Sequence, residues 1–396
     1  MLELRLLQRP SGRRGLSPRR RSAGDPAHVS TAASPDAAAT YARVAAVRPV
    51  RVALDLLGGD RAPDAVVDGA LAALSTDPEL HLVLAGPAEL RPRWAAVADR
   101  VTLLPTDESV GMADAPVRAV RSRRTSVRLA VEAVRHGAAE AVVSVGSTGA
   151  VVAAAVTELG KLSGFRRPAL AAVLPAVAHP VVLVDVGAHA GASDADLVRH
   201  GRLGAAFART VLGLDQPRVG LLSIGTEPGK GDPLRRKADR GLTGSGLNYI
   251  GLVEGYDVPL GGRADVVVTD GFTGNVVLKT LEGALALTGR GATSPRAATL
   301  LGVAGTVVIG HGAASAADVA DCIAVAALAA RENHLARLRT MLENSGSIPD
   351  PAPSETAADD PAVEPRDGAP IETAPAHAGR SENRLQARVT AAPAAT

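Results

Sequence analysis

The chain has 396 residues, of which 46% are hydrophobic and 21% charged, a composition typical of a globular protein with a substantial core. A net charge of +2 and an aromatic content of 2% argue against a nucleic-acid-binding surface, which needs a basic field or rings that stack on bases. The single cysteine, Cys322, excludes an internal disulfide and a thiolate metal cluster, which fits a reducing compartment. We expect a cytoplasmic protein, and we predict no metal and no cofactor.

The first 48 residues form a basic segment, with nine arginines against three acidic residues and no apolar stretch of signal-peptide length. We expect a disordered N-terminal arm here, although a reading frame started too far upstream explains the segment equally well. From Ser345 onward, proline, alanine and acidic residues dominate without periodicity, which predicts a disordered tail over 345–396. One folded domain is predicted between them, over 49–344.

Between these limits the chain alternates short Val/Leu/Ile runs with helical segments. Each run is followed within two residues by Gly or Asp, and the runs are 52–57, 82–84, 141–145, 181–186, 219–224 and 266–268. Such runs predict an α/β fold, with a doubly wound, mostly parallel sheet and helices on both faces. Because the carboxyl ends of parallel strands meet at one edge of a sheet, we expect the glycine-rich loops to build one site there.

Two helices carry recognisable start signals. Thr125 or Ser126 is expected to cap a helix that has one apolar face and a strongly basic opposite face. Ser315 followed by Asp318 resembles a capping box and predicts one long helix that runs to about residue 343.

Two glycine-rich segments approach nucleotide-binding motifs without matching them. Residues 225–231, GTEPGKG, are one residue short of a P-loop and lack its magnesium-binding hydroxyl. Residues 310–315, GHGAAS, lack the third glycine of a dinucleotide fingerprint and the acid that binds a ribose. Both are better explained as loops that hold an anion.

The most informative stretch is 264–283, ADVVVTDGFTGNVVLKTLEG. It predicts a strand, a loop with two glycines and a helix that opens at Asn275, whose free N–H groups and dipole favour a bound phosphate. Lysine usage adds to this, because the chain has 39 arginines and only four lysines, and Lys230 and Lys279 follow strand ends. A compact ammonium can approach a phosphoryl or thioester oxygen, and His311 can donate to an oxyanion.

Eight segments in order closely resemble the PlsX-type phosphate acyltransferases, and they cover nearly the whole predicted domain: LDLLGGDRAPDAVVDGA (54–70), AVVSVGSTGAV (141–151), RRPALAAVLP (166–175), VLVDVGA (182–188), PRVGLLSIGTEPGKG (217–231), NYIGLVEG (248–255), ADVVVTDGFTGNVVLKTLEG (264–283) and LLGVAGTVVIGHGAAS (300–315). The resemblance implies a phosphotransacetylase-like fold. It also implies an enzyme that converts acyl-acyl-carrier-protein and inorganic phosphate into acyl phosphate for phospholipid synthesis, with a homodimer and transient contact with a membrane surface.

This chemistry needs no activated serine or cysteine, because phosphate is itself the nucleophile. The predicted catalytic residues are Lys279, His311, Lys230 and Asn275. The predicted substrate- and phosphate-binding residues are Gly58, Gly59, Asp60, Gly146, Ser147, Thr148, Gly149, Asp185, His189, Glu227, Asp270, Gly271, Gly274, Gly310 and Gly312. Carrier protein is acidic, and the predicted docking residues are Arg118, Arg121, Arg123, Arg124 and Arg128.

The chain departs from the family at several positions. Ser147 and His189 stand where the family has asparagine, and only 16 residues separate Gly283 from Leu300, where the family has a long helical excursion that contributes to dimerisation and membrane contact. Two alternatives therefore stay open: a phosphotransacetylase-like enzyme that uses short acyl-CoA, and a non-catalytic member that binds phosphate or acyl chains. For an active enzyme, we expect Lys279→Ala to lower turnover.

Overall fold

The computed structural model describes residues 48–289 and 297–344. The predicted N-terminal arm, apart from its last residue, and the predicted tail over 345–396 lie outside the described residues. Arg48 belongs to the fold, because its guanidinium pairs with Glu140 at 2.7 Å and donates to the carbonyl oxygen of Ala330 at 2.7 Å.

Within the described residues, eleven strands form one sheet in the order β3-β2-β1-β4-β11-β10-β5-β6-β9-β7-β8. Their bounds are β1 Val50–Asp55, β2 Leu80–Gly86, β3 Val101–Pro105, β4 Ala141–Ser144, β5 Ala169–Leu174, β6 Val181–Val184, β7 Val219–Leu222, β8 Tyr249–Val253, β9 Val266–Val268, β10 Ala297–Leu301 and β11 Thr306–Gly310. β4, β6 and β9 are buried at every residue, as expected for strands covered on both faces. Seven of the ten pairings are parallel, which confirms the prediction of a mostly parallel sheet.

Helices cover both faces of this sheet. In chain order they are α1 Asp64–Thr76, a 3-10 segment Ala88–Arg100, α2 Arg118–Arg121, α3 Ser126–Arg135, α4 Thr148–Glu158, α5 Asp194–Val211, α6 Pro233–Thr243, α7 Asp257–Leu260, α8 Gly271–Leu287, α9 Ala316–Arg331 and α10 His334–Asn344. Side chains of α3, α4 and α8 pack into one core layer. On the opposite face, α1 and α9 cover one half of the sheet and α5, α6 and α10 the other. Across the described ranges, no helix combines the length and the apolar character that crossing a membrane requires.

Three antiparallel pairings in the middle of the sheet reverse its strand direction. β10 pairs antiparallel with β11 and with β5, and β5 pairs antiparallel with β6. These three pairings lie between β11 and β6, and an odd number of them leaves β11 and β6 running in opposite directions. β1, β4 and β11 are parallel to one another and finish at one end of the sheet, which we call the upper end. β6, β9 and β7 run in the opposite direction, and we call the end at which they finish the lower end. The glycine-rich loops therefore follow strands of both directions instead of strands of one direction.

The C-terminal helical region matches the sequence expectation at its start and departs from it later. The capping box is confirmed, since Ser315 Oγ accepts from the N–H of Asp318 at 3.3 Å and Asp318 Oδ2 accepts from the N–H of Ser315 at 2.8 Å. The single long helix is wrong, because Asn333 adopts a φ of 52° between α9 and α10. That left-handed conformation interrupts a helix.

Candidate functional site

Three loops meet at the upper end of the sheet, after β1, β4 and β11. They contain residues 58–60, 146–149 and 310–312, and we call them together the upper cradle. A Cβ added to Gly58 would lie 2.8 Å from the main-chain nitrogen of Gly146, so only glycine permits this approach. The N–H of Asp60 donates to the carbonyl oxygen of Gly312 at 2.8 Å. The first loop is thus joined to both of the others.

Helix α4 opens into the upper cradle without a side-chain cap. Its N-cap residue, Ser147, makes no capping hydrogen bond. The first N–H groups of a helix have no partner within the helix and carry the positive end of its dipole. By contrast, α9 begins with the Ser315 capping box. The start of α4, with Thr148 and Gly149, is therefore suited to hold an anion.

Asp55 lies beneath the upper cradle, and it was not among the predicted site residues. Its carboxylate accepts from Ser144 Oγ at 2.8 Å and from the N–H of Leu57 at 3.2 Å. Ser144 Oγ in turn accepts from the N–H of Gly146 at 3.1 Å. Burial raises the pKa of Asp55, and hydrogen bonds from the Ser126 and Ser144 hydroxyls offset this only in part. Asp55 thus holds the β1 and β4 turns together; an aspartate that ends a buried strand before two glycines was the available signal.

His311 stands exposed in the third loop of the upper cradle. The N–H of Ala313 donates to its Nδ1 at 3.0 Å. Because Nδ1 accepts this hydrogen bond, a neutral ring carries its proton on Nε2. The Nε2–H group is therefore available to donate to an oxygen that gains negative charge.

The predicted site residues divide into two groups by the direction of the strands that they follow. Those of the upper cradle and His311 lie at the upper end of the sheet. The others follow β6, β7 or β9 at the lower end, or lie on α8; they are Asp185, His189, Glu227, Lys230, Asp270, Gly271, Gly274, Asn275 and Lys279.

The start of α8 does not have the predicted geometry. The helix begins at Gly271 instead of Asn275, and the Asp270 carboxylate caps it by accepting from the N–H of Thr273 at 3.0 Å. The N–H groups of Phe272 and Gly274 donate to the carbonyl oxygens of Ala190 and Asp270. A carboxylate and main-chain oxygens therefore occupy the place predicted for phosphate.

Close packing at this helix start requires glycine at two positions. A Cβ on Gly271 would collide with the carbonyl oxygen of His189, and one on Gly274 with that of Asp185. These glycines allow α8 to approach the loop after β6 closely. The Asp185 side chain in that loop is buried, and its Oδ1 already accepts three main-chain N–H groups, from Leu170, Gly187 and Ala188, at 2.8 to 2.9 Å.

The three other predicted catalytic residues are not part of the upper cradle. Lys279 lies midway along α8, where its Nζ pairs with Glu282 at 2.9 Å. Asn275 Nδ2 donates to the carbonyl oxygen of Val186 at 3.2 Å. Lys230 is exposed in the loop after β7.

The predicted docking residues divide into an exposed group and one buried residue. Arg118, Arg121, Arg123 and Arg124 are exposed on α2 and the turn that follows it, and we call them the basic face. Arg128 is 7% exposed. Its guanidinium lies 2.5 Å from the Glu158 carboxylate and 3.2 Å from that of Glu132. Including Arg128 in a docking surface is therefore wrong, because its charge is buried and paired.

Two histidines lie close to the end of β6, with His189 in the loop that follows it and His200 on α5. His200 is 2% exposed, and among the described residues neither of its ring nitrogens has a hydrogen-bond partner, although Asp185, Asp196, His189 and the main chain of Thr269 face it. Burial lowers the pKa of His200 and also that of His189. The folded protein therefore favours the neutral form of both rings.

This burial predicts a pH dependence of stability. A histidine whose folded-state pKa is lowered stabilises the fold fully above the unfolded value of about 6.5, and that contribution is lost as the pH falls through the folded value. Wild-type protein should lose up to about 1.4 kcal/mol of unfolding free energy per pH unit for each such group below pH 6.5. Urea unfolding at several pH values should show a shallower slope for His200→Leu. Exposed His136→Leu is the control, and an equal slope in wild type and His200→Leu would contradict the assignment.

The sequence of this chain matches one protein family and relatives that share one name. A family described as fatty acid synthesis protein matches residues 50–290. Proteins named phosphate acyltransferase from Bacillus thuringiensis (strain Al Hakam) and Bacillus mycoides are each 44% identical over 241 residues, which is 60% of this chain and 73% of theirs.

Solved structures agree on the fold. A phosphotransacetylase from Streptococcus pyogenes gives a TM-score of 0.55 at 18% identity, covering 72% of this chain and 94% of its own. A branched-chain phosphotransacylase from Enterococcus faecalis gives 0.52 at 15% identity, covering 71% and 99%. At these identities the likeness concerns the fold alone.

Proposed function

This chain belongs to the fatty acid synthesis protein family, as the match over residues 50–290 shows, and we propose that its upper cradle transfers an acyl group from a thioester to inorganic phosphate. The observation that carries the proposal is the uncapped start of α4 within the upper cradle. The names of the relatives that are 44% identical support it, since they are phosphate acyltransferases.

The proposed reaction uses phosphate as the nucleophile. Main-chain N–H groups of Thr148 and Gly149 hold the phosphate, and Asp55 keeps the turns that carry them in place. A phosphate oxygen attacks the thioester carbonyl, and Nε2–H of His311 donates to the carbonyl oxygen as it gains charge. The carbon–sulfur bond then breaks, and the proton of monohydrogen phosphate ends on the leaving thiolate. The products are acyl phosphate and a thiol, so no covalent enzyme intermediate is required.

The donor is proposed to be acyl-acyl-carrier-protein. The basic face adjoins the upper cradle, because the segment that precedes it places Pro116 against Gly149, at the start of α4. Beside it lies a hollow of about 520 Å³, which is lined by Arg123, Arg128, Arg135 and His136 together with Glu132 and Glu158. Exposed arginines attract an acidic partner mainly by raising the rate of encounter.

Charge reversal tests this docking surface. The double variant Arg121→Glu, Arg123→Glu should raise KM for acyl-acyl-carrier-protein by about tenfold, because repulsion replaces steering. The same variant should leave KM for acyl-CoA unchanged. Exposed Arg91 lies on the 3-10 segment away from this face, so Arg91→Glu is the matched control. Equal KM values for the double variant and wild type with the carrier-protein donor would remove the basic face from the proposal.

The activity itself is tested with purified full-length protein, phosphate and two donors, acyl-acyl-carrier-protein and a short acyl-CoA. Phosphorus NMR should show acyl phosphate, together with one equivalent of released thiol. Faster turnover of the short acyl-CoA would favour the phosphotransacetylase-like alternative. No product from either donor would favour the non-catalytic alternative. The homodimer, the transient membrane contact and the cytoplasmic location stay predictions.

A further inference from the structure

A loop over residues 107–117 lies across the upper cradle. A Cβ added to Gly312 would lie 2.6 Å from Met112 Cε, and one added to Gly149 would lie 2.7 Å from Pro116 Cγ. The loop therefore contacts both the His311 loop and the start of α4.

The second half of this loop, residues 112–117, exposes mainly apolar side chains. Met112 is 45% exposed and Val117 is 48% exposed, and Ala113, Ala115 and Pro116 are exposed between them. By contrast, the side chains that border the cradle itself are polar, namely those of Asp60, Ser147, Thr148 and His311. An apolar wall thus stands directly beside a polar anion site.

The loop is held in place from both sides. Thr106 Oγ1 donates to the carbonyl oxygen of Arg124 at 2.5 Å, and the N–H of Ser126 donates to the carbonyl oxygen of Glu108 at 2.8 Å. Val110 is buried in the core, and Asp114 Oδ2 accepts from the N–H of Gly111 at 2.8 Å. Met112 therefore lies on an anchored turn, while its own unbranched side chain can change conformation.

We propose that the 107–117 loop forms one wall of an acyl-chain subsite, in which Met112 contacts the methylene groups nearest the thioester. The inference rests on the proposed function, because the reacting carbonyl must lie beside the phosphate in the upper cradle. A long acyl chain leaving that point needs an apolar surface, since each buried methylene improves binding about fourfold. A short acyl group gains little from the wall, so Met112 should affect only donors with longer chains.

The test compares palmitoyl and butyryl thioesters of the same carrier protein. Met112→Ala should lower kcat/KM for the palmitoyl donor by about tenfold and change that for the butyryl donor by less than about twofold. Met112→Leu, which restores an apolar side chain of similar volume, should recover most of the loss. Ile224→Ala is the matched control, because Ile224 is 82% exposed at the lower end of the sheet.

The possible results separate the two proposals. If wild type makes acyl phosphate and Met112→Ala affects both donors equally, or neither, the acyl subsite is wrong and the proposed function stands. If wild type makes no acyl phosphate from either donor, both are wrong.

Discussion

Replacing His311 by alanine should lower kcat for acyl phosphate formation by about 10²- to 10³-fold, the usual loss when one oxyanion donor is removed. The fold should survive, because His311 is exposed and water can replace its Nδ1 as acceptor for the N–H of Ala313. The measurement is steady-state release of thiol at saturating phosphate, with circular dichroism to confirm that the variant is folded.

Lys279→Ala is the matched control for this experiment. The sequence led us to expect a loss of turnover, but Lys279 lies midway along α8 and pairs with Glu282. We now expect turnover within about twofold of wild type, as for a surface substitution away from the site. If Lys279→Ala were inactive and His311→Ala active, the reaction would belong to the other set of loops and the upper cradle would be the wrong site.

Gly58→Ala should abolish activity and lower the free energy of unfolding by about 1 to 3 kcal/mol, the usual cost of overpacking. The new Cβ would lie 2.5 Å from Asp55 Oδ2 and 2.8 Å from the main-chain nitrogen of Gly146. Both distances are shorter than any normal contact between a Cβ atom and an oxygen or nitrogen atom. Both neighbours belong to the network that joins the β1 and β4 turns, so the phosphate-binding amides of α4 would move with them. Urea unfolding and turnover measure the two effects.

Gly255→Ala is the control, because no heavy atom lies within 4 Å of the added Cβ. It should change the free energy of unfolding by less than about 0.5 kcal/mol and leave turnover unchanged. If Gly58→Ala were as stable and as active as wild type, the close approach of the two turns would not be needed for the reaction.

Local features of the fold were predictable because they depend on near neighbours in the chain. Four consecutive apolar residues, 181–184, predict a strand covered on both faces, and β6 is buried throughout. The capping box of Ser315 and Asp318 spans one helical turn, so its two hydrogen bonds follow from the spacing. The alternation of such strands with helices predicted the α/β class.

The composition of the site was predictable only in part. The upper cradle and His311 were identified because glycines and polar residues follow β1, β4 and β11 directly. Asp270 was also identified, yet its carboxylate caps α8, and an aspartate after a strand has the same sequence signal whether it binds a ligand or caps a helix. Arg128 belongs to a basic stretch, but Glu132 and Glu158 bury it in an ion-paired cluster. Glu158 lies on a different helix, so that pairing follows only from packing.

By itself, then, the sequence determined the positions of six of the eleven described strands, the loops that carry glycines and the cap of one helix. Only the tertiary structure decided which loops share a site. The direction of each strand depends on hydrogen bonds between segments far apart in the chain, such as β10 with β5. No local sequence pattern predicts these pairings. Because three of these pairings are antiparallel, the loops after β1, β4 and β11 follow strands of one direction and those after β6, β7 and β9 follow strands of the other.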